Sequence, residues 1–206
     1  MIIDAHVHVF PDGFRDRREE LVLRDNTFRE LYSNPKTVMA TVEDLTQAMD
    51  AAEVDAAVMV GIGWSEVDLA REANNHLAET VARSNGRLIG FCATNPAWGD
   101  DAIIEVERCV AAGLRGIGEL HPDTQGFRID HVATMAQLMK TAKLLNLPVV
   151  THASEPVGHP YQGKGTVTPE RLLTFIESFP EQPIIAAHWG GGLPFYALMP
   201  EVSAAL

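Results

Sequence analysis

Two histidines separated by one residue stand near the start of the chain, in Met1-Ile2-Ile3-Asp4-Ala5-His6-Val7-His8-Val9-Phe10. The run is apolar enough to be a strand, and strand side chains alternate between faces. His6 and His8 therefore project from one face at the strand's C-terminal end. Two imidazoles on one rigid element begin a divalent-metal site, because little further ordering brings both to one ion. A His-x-His pair by itself is more often incidental. Here three later apolar runs also end in ligand-type residues: Glu119 and His121 end the fourth predicted strand, His152 the fifth and His188 the sixth. Imidazole with a carboxylate suits Zn²⁺, Fe²⁺, Mn²⁺ or Co²⁺. Such an ion lowers the pKa of bound water and polarises a carbonyl. Glu119 reads as a ligand or as an acceptor supporting the ligands, with a structural salt bridge as the alternative. His121 precedes Pro122 and can already belong to the following loop. Asp4 shares the parity of His6 and His8 but lies deeper, which suits a hydrogen bond better than a metal. His76 and His131 fall on predicted helices and read as surface residues.

A second group of reactive side chains follows the fifth strand directly. Ser154-Glu155-Pro156-Val157-Gly158-His159-Pro160-Tyr161-Gln162-Gly163-Lys164-Gly165 holds a carboxylate, an imidazole, a phenol and an ammonium, with no helical or strand period. Glu155, His159, Tyr161 and Lys164 are the residues expected to touch substrate, Lys164 through a substrate carboxylate; a solvated loop is the alternative. Trp64, Trp98 and Trp189 lie near strand ends, where they either wall the pocket or pack.

These side chains can meet only if the elements between them bring the strand ends to one side. Asp55–Val60, Arg87–Ala93, Leu114–Leu120, Pro148–His152 and Pro183–His188 are short apolar runs. Unbroken rather than alternating apolarity predicts strands covered on both faces, as in parallel sheets. Between them lie helical periods: a helix capped by Thr41, one capped by Ser65 running to about Arg83, and others over Asp100–Ala112, Asp130–Asn146 and Thr168–Phe179. The result is α/β with six β–α units in strict alternation, hence parallel strands with right-handed crossovers. A doubly wound open sheet and a (β/α) TIM-like barrel both satisfy this pattern. The barrel wants eight units, and six can be placed. Residues 1–206 read as one domain, with residues 11–40 an inserted loop after the first strand carrying a short helix near Arg18–Leu23. In parallel α/β proteins the C-terminal strand ends share one face, where sites form.

Composition sets the bounds. The chain has 206 residues, 46% hydrophobic and 21% charged, with net charge −12 and no Lys/Arg-rich run. A nucleic-acid partner held through phosphates is disfavoured. No apolar run approaches the ~20 residues that cross a bilayer, and the N-terminus lacks the pattern of a signal peptide. Cys92 and Cys109 lie in apolar runs outside any metal spacing and read as small buried hydrophobes. A reducing, cytoplasmic setting follows, with a homo-oligomer possible.

Taken together, Ile3-Asp4-Ala5-His6-Val7-His8, Gly116-Ile117-Gly118-Glu119-Leu120, Val149-Val150-Thr151-His152 and Ile185-Ala186-Ala187-His188-Trp189-Gly190-Gly191 span almost the whole chain. In this order they resemble the amidohydrolase superfamily, specifically the amidohydrolase-2 branch of metal-dependent (β/α)₈ hydrolases and decarboxylases. The resemblance implies that His6, His8 and His152 are metal ligands and that His188 is a ligand or a catalytic acid/base. It sets Glu119 where related enzymes carry a metal-binding Lys or Glu. The family's pattern also has an Asp at the end of strand eight, with no counterpart here, so the chain is expected to be C-terminally incomplete. Without strands seven and eight, two parallel edges are expected to expose backbone groups and apolar surface. The leading expectation is a hydrolase, with metal-activated water, most simply on Zn²⁺, attacking an amide, lactone or ester carbonyl of a small molecule. Glu119 and His188 are its expected catalytic residues. The alternatives are a non-oxidative decarboxylase on the same metal site, a phosphoesterase, and a catalytically silent metal-binding scaffold that lacks the strand-eight Asp.

Overall fold

The computed structural model describes all 206 residues. Six short parallel strands follow one another in sequence order: β1 (Ile3–Val7), β2 (Ala56–Met59), β3 (Leu88–Gly90), β4 (Ile117–Leu120), β5 (Val149–Thr151) and β6 (Ile184–Ala186). The strands β1-β2-β3 form one parallel sheet and β4-β5-β6 another. A single parallel bridge, Cys92 with Ile117, joins the two. Its hydrogen bonds run from Cys92 N to Gly116 O and from Gly118 N to Cys92 O, at 2.8 and 2.9 Å. Gly61 N to Gly118 O and Glu119 N to Gly61 O, both 3.0 Å, tie β4 across to the end of β2 as well. The strands thus make one curved wall, the arrangement of a partial (β/α) barrel. Every strand is shorter than its apolar run.

β4 and β5 are buried throughout, as their unbroken apolarity predicts. Helices α3 (Val42–Ala51), α4 (Val67–Arg83), α5 (Asp100–Ala111), α7 (Val132–Leu144) and α8 (Pro169–Ser178) flank the wall. Leu77, Val106, Met135, Leu138 and Phe175 from them pack with Ile117, Leu120 and Val149 in the main core. Thr41 caps α3 through a reciprocal box with Asp44. Helix α4 begins at Glu66 rather than Ser65: the Glu66 carboxylate accepts from Leu69 N at 3.0 Å.

The segment 11–40 is more ordered than a loop. It forms α1 (Arg18–Arg24) and α2 (Asn26–Tyr32), of which only the first has a clear sequence signal. Asp25 explains the second. It is fully buried; one carboxylate oxygen accepts from Phe28 N at 2.8 Å, and the other from Ser65 N and Glu66 N at 2.8 and 2.9 Å. One side chain therefore caps α2 and pins it to the start of α4, a contact of the kind worth about 1 kcal/mol per capped helix. Phe10, Phe14, Phe28 and Trp64 fill a second core under the insert.

Pro122–Gln125 forms a further short helix, α6, directly after β4, and Pro200–Ala205 a last one. β1 pairs only with β2 and β6 only with β5, and Ile3 and Ile185 on these edges are each 45% exposed. No helix is long and apolar enough to cross a membrane.

Candidate metal centre

The strand ends converge. His6 Nε2 lies 3.3 Å from His8 Nε2 and 3.2 Å from Glu119 Oε2; His8 Nε2 lies 3.5 Å from the same oxygen. Glu119 Oε1 faces the other way, 3.2 Å from His152 Nδ1. His188 closes the group, its ring centroid 4.7 Å from that of His152 and 6.4 Å from that of His6. Two ligand-type triads result, His6–His8–Glu119 and Glu119–His152–His188, sharing the buried carboxylate. Donors around one ion at about 2.1 Å stand roughly 3–3.5 Å apart, which is the spacing among His6, His8 and Glu119 and between Glu119 and His152. The tautomer of His8 fits as well. Its Nδ1 lies 3.0 Å from the Val60 carbonyl and must donate to it, which leaves the Nε2 lone pair aimed at the cluster. These residues fit a divalent cation.

The electrostatics agree with a cation site. Burial alone would raise the Glu119 carboxyl, but the imidazoles of His152, His6 and His8 set against it outweigh that and hold the group well below the usual carboxylate range. A buried anion ringed by imidazoles results. His188 is pushed below the ordinary histidine value by burial and by the neighbouring His152. The backbone at His188 and Trp189 is left-handed, with φ 55° at both. For non-glycine residues that costs roughly 1 kcal/mol or more each. The three glycines that follow complete the turn. Gly191 has φ 62°, and a Cβ there would stand 2.3 Å from the Ser154 carbonyl.

Other expected site residues divide. A cavity of about 450 Å³ beside His188 is lined by Glu155, Val157, Trp189 and Phe195 among others. Glu155 thus shares a cavity with His188, while His159, Tyr161 and Lys164 do not line it. Tyr161 and Lys164 instead hold Glu155 at 2.9 and 3.1 Å, and Lys164 Nζ donates to the Val157 carbonyl. The backbone and these two partners bring the Glu155 carboxyl down to about 2. His159 is exposed, its ring 6.2 Å from that of Tyr161. Trp64 is no pocket wall: it is 2% exposed, edge-on to Phe14 and stacked on Phe28 at 5.8 Å. An indole in an aromatic core looks the same in sequence as one at a cavity mouth. Asp4 accepts from the His6 amide at 3.3 Å, and His76 is half-buried rather than superficial.

Two residues at the centre carry no sequence signal. Ser154 Oγ lies 3.2 Å from His152 Nε2 and accepts from Gly165 N. Tyr32, from the insert, is nearly buried, and its phenol is raised to about 12 by burial and by the charge of Glu119.

A six-stranded parallel wall with imidazoles and one carboxylate at its C-terminal rim defines a partial barrel with a candidate metal site. The profile of the amidohydrolase family matches residues 3–206, and the chain belongs to that family. It is 23% identical over 231 residues to the 2-amino-3-carboxymuconate-6-semialdehyde decarboxylase of Dictyostelium discoideum, covering 94% of this chain and 64% of that one. The chain therefore spans somewhat less than two thirds of that relative. Among solved structures, 5-carboxyvanillate decarboxylase from Novosphingobium aromaticivorans, with bound manganese, shares the fold at TM-score 0.75 and 19% identity, over 96% of this chain and 68% of the other. 2,6-Dihydroxybenzoate decarboxylase in complex with 2,6-dihydroxybenzoate stands at 0.64 and 21%, over 96% and 69%. The 4-oxalomesaconate hydratase of Rhodopseudomonas palustris stands at 0.66 and 18%, over 98% and 69%.

Proposed function

We propose that the protein is a divalent-metal-dependent, non-oxidative decarboxylase of a small carboxylic acid. The observation that carries this reading is the convergence of His6, His8, His152 and His188 on buried Glu119. The names of its relatives supply the reaction class. His6, His8, Glu119 and His152 would hold the cation, with His188 a further ligand or the proton carrier. Mn²⁺, present in a related structure, is at least as well supported as the Zn²⁺ expected from sequence. When bound, the ion supplies positive charge that orients a substrate carboxylate and stabilises charge developing beside it. Because the site draws on β1, β4, β5 and β6, residues 1–206 act in this reading as one catalytic unit.

Loss of CO₂ breaks one carbon–carbon bond and leaves the electron pair on substrate carbon, which must take up a proton. In this reading His188, which shares a cavity with Glu155, would deliver it. Its lowered pKa makes its protonated form a stronger acid than ordinary imidazolium. Glu155, on the shared cavity, would contact the substrate, held in place by Tyr161 and Lys164. Two free thiols, Cys92 and Cys109, accord with a cytoplasmic setting.

The test is CO₂ release from aromatic and α,β-unsaturated carboxylates by Mn²⁺-loaded protein, beside an ester, lactone and amide panel. CO₂ release with uptake of one proton per turnover, abolished in Glu119→Gln, is expected. Turnover confined to the ester, lactone and amide panel would restore hydrolysis. Metal binding without any turnover would leave the silent scaffold.

A further inference from the structure

The most deeply buried histidine at the strand ends belongs to neither ligand triad. His121 is 2% exposed, and its ring lies flat on that of His152, centroids 4.3 Å apart and planes 22° apart. Its Nδ1 is 3.0 Å from Thr124 Oγ1, which is 2.6 Å from Thr27 Oγ1; Thr27 in turn donates to the Gly63 carbonyl at 2.6 Å. Each hydroxyl has one proton. Thr27 directs its own to Gly63, so the proton in the 2.6 Å contact between the threonines comes from Thr124, in preference to the His121 carbonyl, which lies 3.2 Å from Thr124 Oγ1 and already accepts from Gln125 N. The proton between Thr124 and the ring must then come from His121. The network fixes His121 as the Nδ1–H tautomer and leaves its Nε2 buried without a partner. The slot is tight: Gly63 has φ 75°, and a Cβ there would stand 2.6 Å from His121 Cβ.

We propose that Thr27, Thr124 and His121 form a positioning chain that sets the plane of the His152 ring, and so couples the 11–40 insert to the metal centre. His152 has a hydrogen-bonding partner at each ring nitrogen, Glu119 and Ser154. Those two in-plane contacts decide where the nitrogens point. They resist tilting of the ring poorly, and the flat face of His121 supplies that resistance. His121 itself is held by a chain that starts on α2, so the insert has a role at the metal site besides covering it. The inference rests on the metal-centre reading for its consequence, but its structural content can be read without metal.

Long-range ¹H–¹⁵N NMR of the histidine rings in metal-free protein tests it, with Thr27→Val, Thr27→Ser and Thr124→Val compared with wild type. His121 is expected as the Nδ1–H tautomer. Thr27→Val is expected to shift the His152 ring nitrogens, and Thr27→Ser to restore them. In calorimetric titration with Mn²⁺, Thr27→Val weakens binding about tenfold with Thr27→Ser near wild type. Thr124→Val serves the same purpose should Thr27→Val not fold. An Nε2–H tautomer at His121, or His152 signals unchanged in folded Thr27→Val and Thr124→Val, overturns the positioning chain. Absence of Mn²⁺ binding by wild type, with the NMR result as expected, overturns the metal reading instead.

Discussion

Glu119 and His121 sit two positions apart and behave as opposites. Glu119 is a buried anion stabilised by imidazoles, whereas His121 is a buried base kept neutral by burial and by His152, its pKa lowered from 6.5 to about 4. The neutrality of His121 has a consequence for pH. Between pH 6.5 and 4 the unfolded chain takes up a proton at His121 that the folded protein refuses. Its contribution to stability is therefore fully present above 6.5 and declines as pH falls, by about 3 kcal/mol at pH 4. Urea unfolding of metal-free protein at pH 7 and pH 4.5 should show His121→Phe losing less stability over that span than wild type. Equal losses would contradict the assignment. At this scale the sequence was informative about which side chains converge and poor about what supports them. His6, His8, Glu119, His152 and His188 could be read from strand parity and position. Thr27 and Thr124 could not, because a threonine in a hydrogen-bonded chain looks like any other until folding brings together two positions 97 apart in sequence.

Strand ends, rather than strands, carry the site, and glycine makes those ends possible. Gly191 lets the turn after β6 run against the Ser154 carbonyl, which brings His188 back toward His152. Gly191→Ala forces a Cβ into that carbonyl at a left-handed position. It should destabilise the protein by roughly 1–3 kcal/mol and weaken metal binding as His188 is displaced. Thermal unfolding and calorimetry measure the two effects; an unchanged melting temperature would show that the turn has slack. The six-unit alternation was legible because buried parallel strands and amphipathic helices leave different periods. The insert was less so. Its second helix depends on Asp25, of whose three backbone partners one lies 3 residues on and the others 40 and 41. Trp64 was misplaced for the same reason: its aromatic neighbours come from the insert.

At the level of the whole molecule, β1 and β6 leave two edges open, with Ile3 and Ile185 half-exposed and aromatic residues Trp189 and Phe195 at 75% and 81% exposure nearby. Unpaired edges beside apolar surface favour pairing with other chains. The 206-residue chain should therefore associate, and sedimentation equilibrium should give a mass above 22.5 kDa that rises with concentration. A concentration-independent monomer would contradict this. The proposed activity requires distant imidazoles to share one cation. Crystals grown with Mn²⁺ and measured near the manganese absorption edge test that directly. An anomalous peak bounded by Glu119 and the rings of His6, His8 and His152 is predicted; peaks elsewhere, or none at that point in protein soaked to saturation, would contradict it.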